Sequence, residues 1–101
     1  MVSLALFVRL EAKPGQAEAL QTFLEGGLQL ANAEPETSVW FALRFGPQSF
    51  GIFDAFANEH GREAHLNGAI AAALMARAGE LLAEPPRIEK VDVLAAKLGQ
   101  S

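Results

Sequence analysis

Apolar and polar residues alternate from Val2 to Ala12: Val2, Leu4, Leu6, Val8 and Leu10 fall on one side, and Ser3, Ala5, Phe7, Arg9 and Glu11 on the other. A period of two is that of a strand, whose successive side chains point to opposite faces. Lys13-Pro14-Gly15 ends it. From Gln16 to about Ala33 the period changes, and Ala17, Leu20, Phe23, Leu24, Leu28 and Ala31 trace one face of a helix. Gly26-Gly27 lies inside that helix and disfavours it by about 1 kcal/mol per glycine relative to alanine. The pair therefore predicts a kink or close packing against the sheet, with a ligand passing near the backbone as the other reading. Asn32 to Glu36, with Pro35, reads as a loop.

Thr37 to Phe45 alternates again, with Val39, Phe41, Leu43 and Phe45 set against Ser38, Trp40, Ala42 and Arg44. Gly46-Pro47-Gln48 is a short turn, so the next strand, about Ser49 to Ala57, pairs with it as a hairpin. In that strand Phe50, Ile52, Asp54 and Phe56 share one face, and Gly51, Phe53 and Ala55 the other. Asn58 suits the N-cap of a short helix running to about Asn67, because its side chain accepts from the free amides of the first turn. Asn67-Gly68 separates that piece from an alanine-rich helix, Ala69 to Leu82, with Ile70, Leu74, Ala78 and Leu81 on one face. Pro85-Pro86 stops it, and Arg87 to Ala96 is the last strand.

The order is strand, helix, strand, strand, helix pair, strand. Right-handed crossovers place the first and third strands in the middle of a four-stranded antiparallel sheet, with the helices on one face. This is an α+β ferredoxin-like sandwich, and the 101 residues form a single domain, 1–101. The uncovered face is expected to carry Ala5, Phe7, Trp40, Ala42, Phe53, Ala55, Val91 and Val93, which is too apolar to leave wet. A second copy of the chain, sheet against sheet, is the expected cover, and the homodimer would then form a barrel.

Composition narrows the function. Half the residues are apolar and one fifth are charged, as in a folded domain. The formal net charge is −4 and the basic residues are scattered, which argues against nucleic acid. Cysteine is absent, removing disulfides, thiolate nucleophiles and cysteine-held metals. The apolar start has no basic lead, Arg9 interrupts it, and it reads as a strand. The longest apolar run, Ala69 to Ala76, is far shorter than the roughly 20 residues of a membrane span. A cytoplasmic protein with no membrane partner is expected.

Catalytic signatures such as a phosphate loop, G-x-S-x-G or H-E-x-x-H are missing. His60 and His65 are five residues apart and point away from each other on a helix, so they do not share a metal. His60, near a helix start, is expected to be exposed. Asp54 is the sharpest anomaly, a carboxylate on the core-facing side between Ile52 and Phe56 that must find a partner or be protonated. His65 is one partner, and such a pair at a pocket mouth moves a proton. The plainer alternative is a structural carboxylate that caps a helix or pairs with Arg9, Lys90 or Arg62. Phe23, Phe50, Phe56 and Met75 are candidates to line an apolar pocket, or ordinary core. Trp40 is either a stacking platform for a flat ligand or packing. Arg44 is either a solvated strand residue or an anion clamp.

These pieces in this order resemble the antibiotic-biosynthesis-monooxygenase domains of the dimeric α+β barrel superfamily. The resemblance spans nearly the whole chain. It is carried by Ala12-Lys13-Pro14-Gly15-Gln16, Ala33-Glu34-Pro35, Phe50-Gly51-Ile52-Phe53-Asp54-Ala55-Phe56, Glu63-Ala64-His65-Leu66 and Leu81-Leu82-Ala83-Glu84-Pro85-Pro86. It implies a cofactor-independent oxygenase acting on a quinol-like or polyphenolic aromatic, with a pocket between sheet and helices. His65 falls on the family's frequent helix histidine. Where the family commonly has Glu-x-Trp, this chain has Asp54-Ala55-Phe56, which changes the pocket's shape and removes an indole. There is no Asn before Asn32 and no His after His65, so the residues of the haem-degrading branch are missing.

Three functions compete. In the first, His65, oriented by Asp54, accepts the phenolic proton of a hydroquinone, with Phe23, Phe50, Phe56, Met75 and Trp40 around the ring. The phenolate then reacts with O₂ without metal or flavin. The second is a ligand-binding or accessory dimer without catalysis, and the third a proton-shuttling isomerase.

Overall fold

The computed structural model describes residues 1–99. Its elements are β1 (Leu4–Glu11), α1 (Ala17–Asn32), β2 (Val39–Arg44), β3 (Ser49–Phe56), α2 (Glu59–Leu66), α3 (Ala69–Leu81) and β4 (Arg87–Asp92). The strands form one antiparallel sheet in the order β2-β3-β1-β4, with β1 and β3 central. The three helices cover one face, giving the α+β ferredoxin-like arrangement that the alternation implies.

Local chemistry explains the boundaries. Asn58 caps α2, its Oδ1 accepting from the Gly61 amide at 3.0 Å. Gly68 has extended backbone ahead of α3 and separates the two helices. Leu20, Leu24, Gly27 and Ala31 are the buried stripe of α1; Ile70, Leu74 and Leu81 are that of α3. These pack on Val8, Leu10, Phe50 and Ile52 of the central strands to make the core. At Gly27 α1 packs close against α3 and the sheet. A Cβ there would lie 3.2 Å from Ile70 and 3.3 Å from the Trp40 ring, which supports the close-packing reading for Gly27, whereas a Cβ at Gly26 would meet open space.

The register corrects one expectation. Trp40 pairs with Asp54 and Ala42 with Ile52, so both point toward the helices and not to the uncovered face. Phe41, opposite Phe53, and Val39, opposite Ala55, take that place. β2 is apolar on both sides, so alternation alone did not decide its phase. The uncovered face thus gathers Phe7, Phe41 and Phe53, with Phe45 folded across Gly51. Phe41 stacks on Phe53 at 6.5 Å and Phe45 meets Phe7 edge-on at 6.2 Å, with the Arg9 guanidinium over both members of the latter pair. Val2, ahead of β1, packs with Ala5 and Ala55 on this side and does not continue the core-facing row. Val91 and Val93 lie against the same cluster, although β4 ends at Asp92.

Candidate active site

Between the sheet and the helices lies a cavity of about 110 Å³. Its floor is the helix-side row of the central strands, Leu6, Val8 and Ile52, and its wall is Trp40. Ile70 and Leu74 of α3 close it from above. Met75, 57% exposed, and Ile88, 48% exposed, form a rim open to solvent. Two titratable groups, Asp54 and His65, enter this otherwise apolar lining.

Asp54 is fully buried. Alternation along β3 aims it at the helices, and α2, which begins three residues after the strand ends, carries His65 back over it. The ring is flanked on both sides. Nε2 lies 2.9 Å from Asp54 Oδ2. Nδ1 lies 2.6 Å from Glu34 Oε1. Phe56 packs against the ring at 5.4 Å. The Asp54 contact is close but off the line of an aligned N–H bond, so neither Asp54 oxygen has an aligned partner. The indole Nε1 of Trp40 is likewise buried and unpartnered. Unmet polar atoms of this kind are rare in protein interiors, where each costs about 1–3 kcal/mol.

Electrostatics follow from this packing. Burial pushes the Asp54 carboxyl above its ordinary 3.8, and the nearby Glu34 charge adds to that; the His65 contact opposes it without overcoming it. For His65, burial by itself lowers the pKa. The close Asp54 carboxyl and the hydrogen-bonded Glu34 carboxyl outweigh it and hold the imidazole above its ordinary 6.5. The structure thus brings Asp54 and His65 together. The alternative partners are occupied elsewhere: Arg62 with Glu59 and the carbonyls of Ala5 and Val91, Lys90 with Glu63, and Arg9 over Phe7 and Phe45.

The other expected positions divide. Met75 and Trp40 line the cavity. Phe50 and Phe56 are core residues and Phe23 packs at the core's edge; none of the three lines the cavity. Their side chains fill space beneath the helices, and aliphatic residues take the positions around the cavity. Arg44 braces the β2–β3 turn by donating to the carbonyls of Gly46 and Pro47, both at 3.0 Å, and is not free to clamp an anion. His60 is exposed and lies 3.4 Å from Glu36. Glu34 was not singled out as chemistry. It sits in the loop after α1, 31 residues from His65, and its only local signal is Thr37 three residues on, whose hydroxyl donates to it at 2.7 Å. Among the described residues no group of three side chains is placed to hold a metal, and no helix is long and apolar enough to cross a membrane.

No protein-family model matches the chain, and no curated protein does. Solved structures do. The chain is 67% identical to the NE2512 protein of unknown function from Nitrosomonas europaea, with a TM-score of 0.97 over 100% of this chain and 98% of that one. A provisionally assigned antibiotic biosynthesis monooxygenase from Nitrosomonas europaea is similar at 18% identity and a TM-score of 0.81, over 91% of this chain and 90% of that one. A protein assigned in the same way from Caulobacter crescentus is 18% identical, with a TM-score of 0.80 over 93% and 92%. At that identity the likeness is one of fold.

Proposed function

The chain belongs to the family of the Nitrosomonas europaea NE2512 protein and has the fold of the antibiotic biosynthesis monooxygenases; from that premise we propose that it is a cofactor-independent monooxygenase of a small, quinol-like aromatic. The observation that carries this reading is the fully buried, unaligned Asp54 carboxylate at the floor of an apolar cavity. A ligand hydroxyl donating to it would satisfy it. A second polar group of the ligand would accept from Trp40 Nε1. At about 110 Å³, below the roughly 150 Å³ of a cavity that takes benzene, the cavity limits the ligand to a single ring that reaches into the open rim.

Asp54 and His65 remove the phenolic proton, and the apolar lining leaves the anion poorly hydrated, which raises its reactivity toward O₂. The substrate supplies all the electrons. A hydroquinone and O₂ give a hydroxyquinone and water, with one oxygen atom entering the ring and the other leaving reduced. The working particle is a homodimer paired through the uncovered sheet face, which leaves the cavity on the helix side of each copy.

Oxygen uptake with a panel of monocyclic hydroquinones tests the proposal. The wild type is expected to consume O₂, and His65→Ala to lose roughly 10²-fold or more. Uptake indifferent to His65 removes the proposed base. Ligand-induced melting shifts without uptake make the protein a binding module, and product formed under argon makes it an isomerase.

A further inference from the structure

The active-site reading uses one side of the His65 ring; the other side is also built. Nδ1 faces Glu34 at 2.6 Å. Glu34 is held by the Thr37 hydroxyl, and its second oxygen lies against Gly68, where a Cβ would come within 2.9 Å of it. The Glu34 side chain is 19% exposed and belongs to a surface depression shared with Pro35, Thr37, Gly61 and Ala64. Among the described residues, His65 is the one that lines both this depression and the apolar cavity.

We propose that Asp54, His65 and Glu34 form a proton path from the cavity to the surface, with Glu34 as its outer acceptor. This rests on the reading that the cavity receives an ionisable hydroxyl. Each of the two N···O contacts needs one proton, so the array is satisfied by two protons shared among three groups and carries a net charge of −1. Those protons have more than one arrangement, related by shifts along the contacts and without a ring flip. When a ligand hydroxyl gives its proton to Asp54 Oδ1, the proton on Oδ2 passes to Nε2 and that on Nδ1 passes to Glu34 Oε1. The ligand loses one proton, Glu34 gains one, and no electrons move. Ligand binding is expected to align the off-axis Asp54 contact, as catalytic hydrogen bonds often tighten only in the complex.

Neighbouring charges are committed elsewhere. Glu36 pairs with His60 beside the depression, Arg62 of α2 with Glu59 and two backbone carbonyls, and Glu63 with Lys90 of β4. The two carboxylates are therefore the groups that set the state of His65. Glu34 acts through His65 and does not touch the ligand, so it is a positioning residue.

The test uses Glu34→Gln, which keeps the shape and an acceptor for Nδ1, and Glu34→Asp, which keeps the charge. In ligand-free protein, ring ¹⁵N NMR follows His65, with His60 as the internal reference. Glu34→Gln is expected to lower the His65 titration midpoint, Glu34→Asp to bring it back toward wild type, and His60 to stay put. With 4-nitrophenol as the probe, bound phenol in the wild type turns to phenolate and one proton appears in bulk solution, read by a pH indicator. Glu34→Gln is expected to slow that proton's appearance about tenfold or more at unchanged affinity, equivalent to about 1.4 kcal/mol. Release as fast as wild type, or an unmoved His65 midpoint, overturns the path. Failure of 4-nitrophenol to bind wild-type protein instead strikes the cavity reading, and the NMR arm still decides the coupling of Glu34 to His65.

Discussion

A single imidazole between two carboxylates gives the molecule a definite response to pH. Both Asp54 and His65 have raised pKa values, so the folded state binds their protons more tightly than the unfolded state does. The His65 contribution to stability is fully present below 6.5 and is lost as pH rises through the raised value. For Asp54 the loss starts above 3.8 and runs in the same direction. Thermal midpoints are expected to be highest in mild acid and to fall as the solution turns alkaline, and His65→Gln should flatten the decline above neutrality. A wild-type midpoint that rises between pH 6.5 and 9 would contradict the assignment. The sequence shows half of this arrangement. Asp54 stands out because a carboxylate on the apolar side of a strand violates its pattern. Glu34 does not, because nothing about a glutamate in a loop says that a helix 31 residues later will close over it.

Secondary elements were legible wherever a period was clean. The strand of Leu4–Glu11, the hairpin, the Asn58 cap and the break at Gly68 all follow from local chemistry. The facing of β2 did not, since Val39 through Leu43 is apolar throughout and only pairing with β3 fixes which residues turn inward. The phenylalanines expected around the cavity were misplaced for a related reason: facing the helices does not say whether a side chain borders a void or fills one. The glycine pair of α1 offers a sharp test at this scale. Gly26 has open space where a Cβ would go, so Gly26→Ala is expected to stabilise by about 1 kcal/mol through helix propensity. Gly27→Ala presses on Ile70 and Trp40, both cavity walls, and is expected to fall short of that gain and to weaken 4-nitrophenol binding. Denaturant unfolding and titration of the two variants read both effects. Equal stabilisation with unchanged binding would show that the contact is slack.

At the scale of the molecule, the four phenylalanines on the uncovered face dominate. Phe41 is 54% exposed and Phe45 50% exposed, and large contiguous patches of this kind mark association surfaces. The patch was expected from the sequence, although with Trp40 where Phe41 stands. We expect small-angle scattering to return a two-chain particle for the wild type and a single-chain particle for Phe41→Glu, with the helical signal retained. A wild-type particle of one chain at micromolar concentration would leave the face without its proposed cover.

β2 carries Trp40 and Phe41 side by side, one turned into the chamber and the other outward. Pressure on the outside of this strand is expected to reach the chamber's wall through the shared backbone. If self-association grips Phe41, ligand uptake and pairing become thermodynamically reciprocal: whatever factor by which pairing tightens the ligand, the ligand must tighten pairing equally. Affinity measured on diluted protein would then drift with concentration, and the drift would itself report the strand's stiffness.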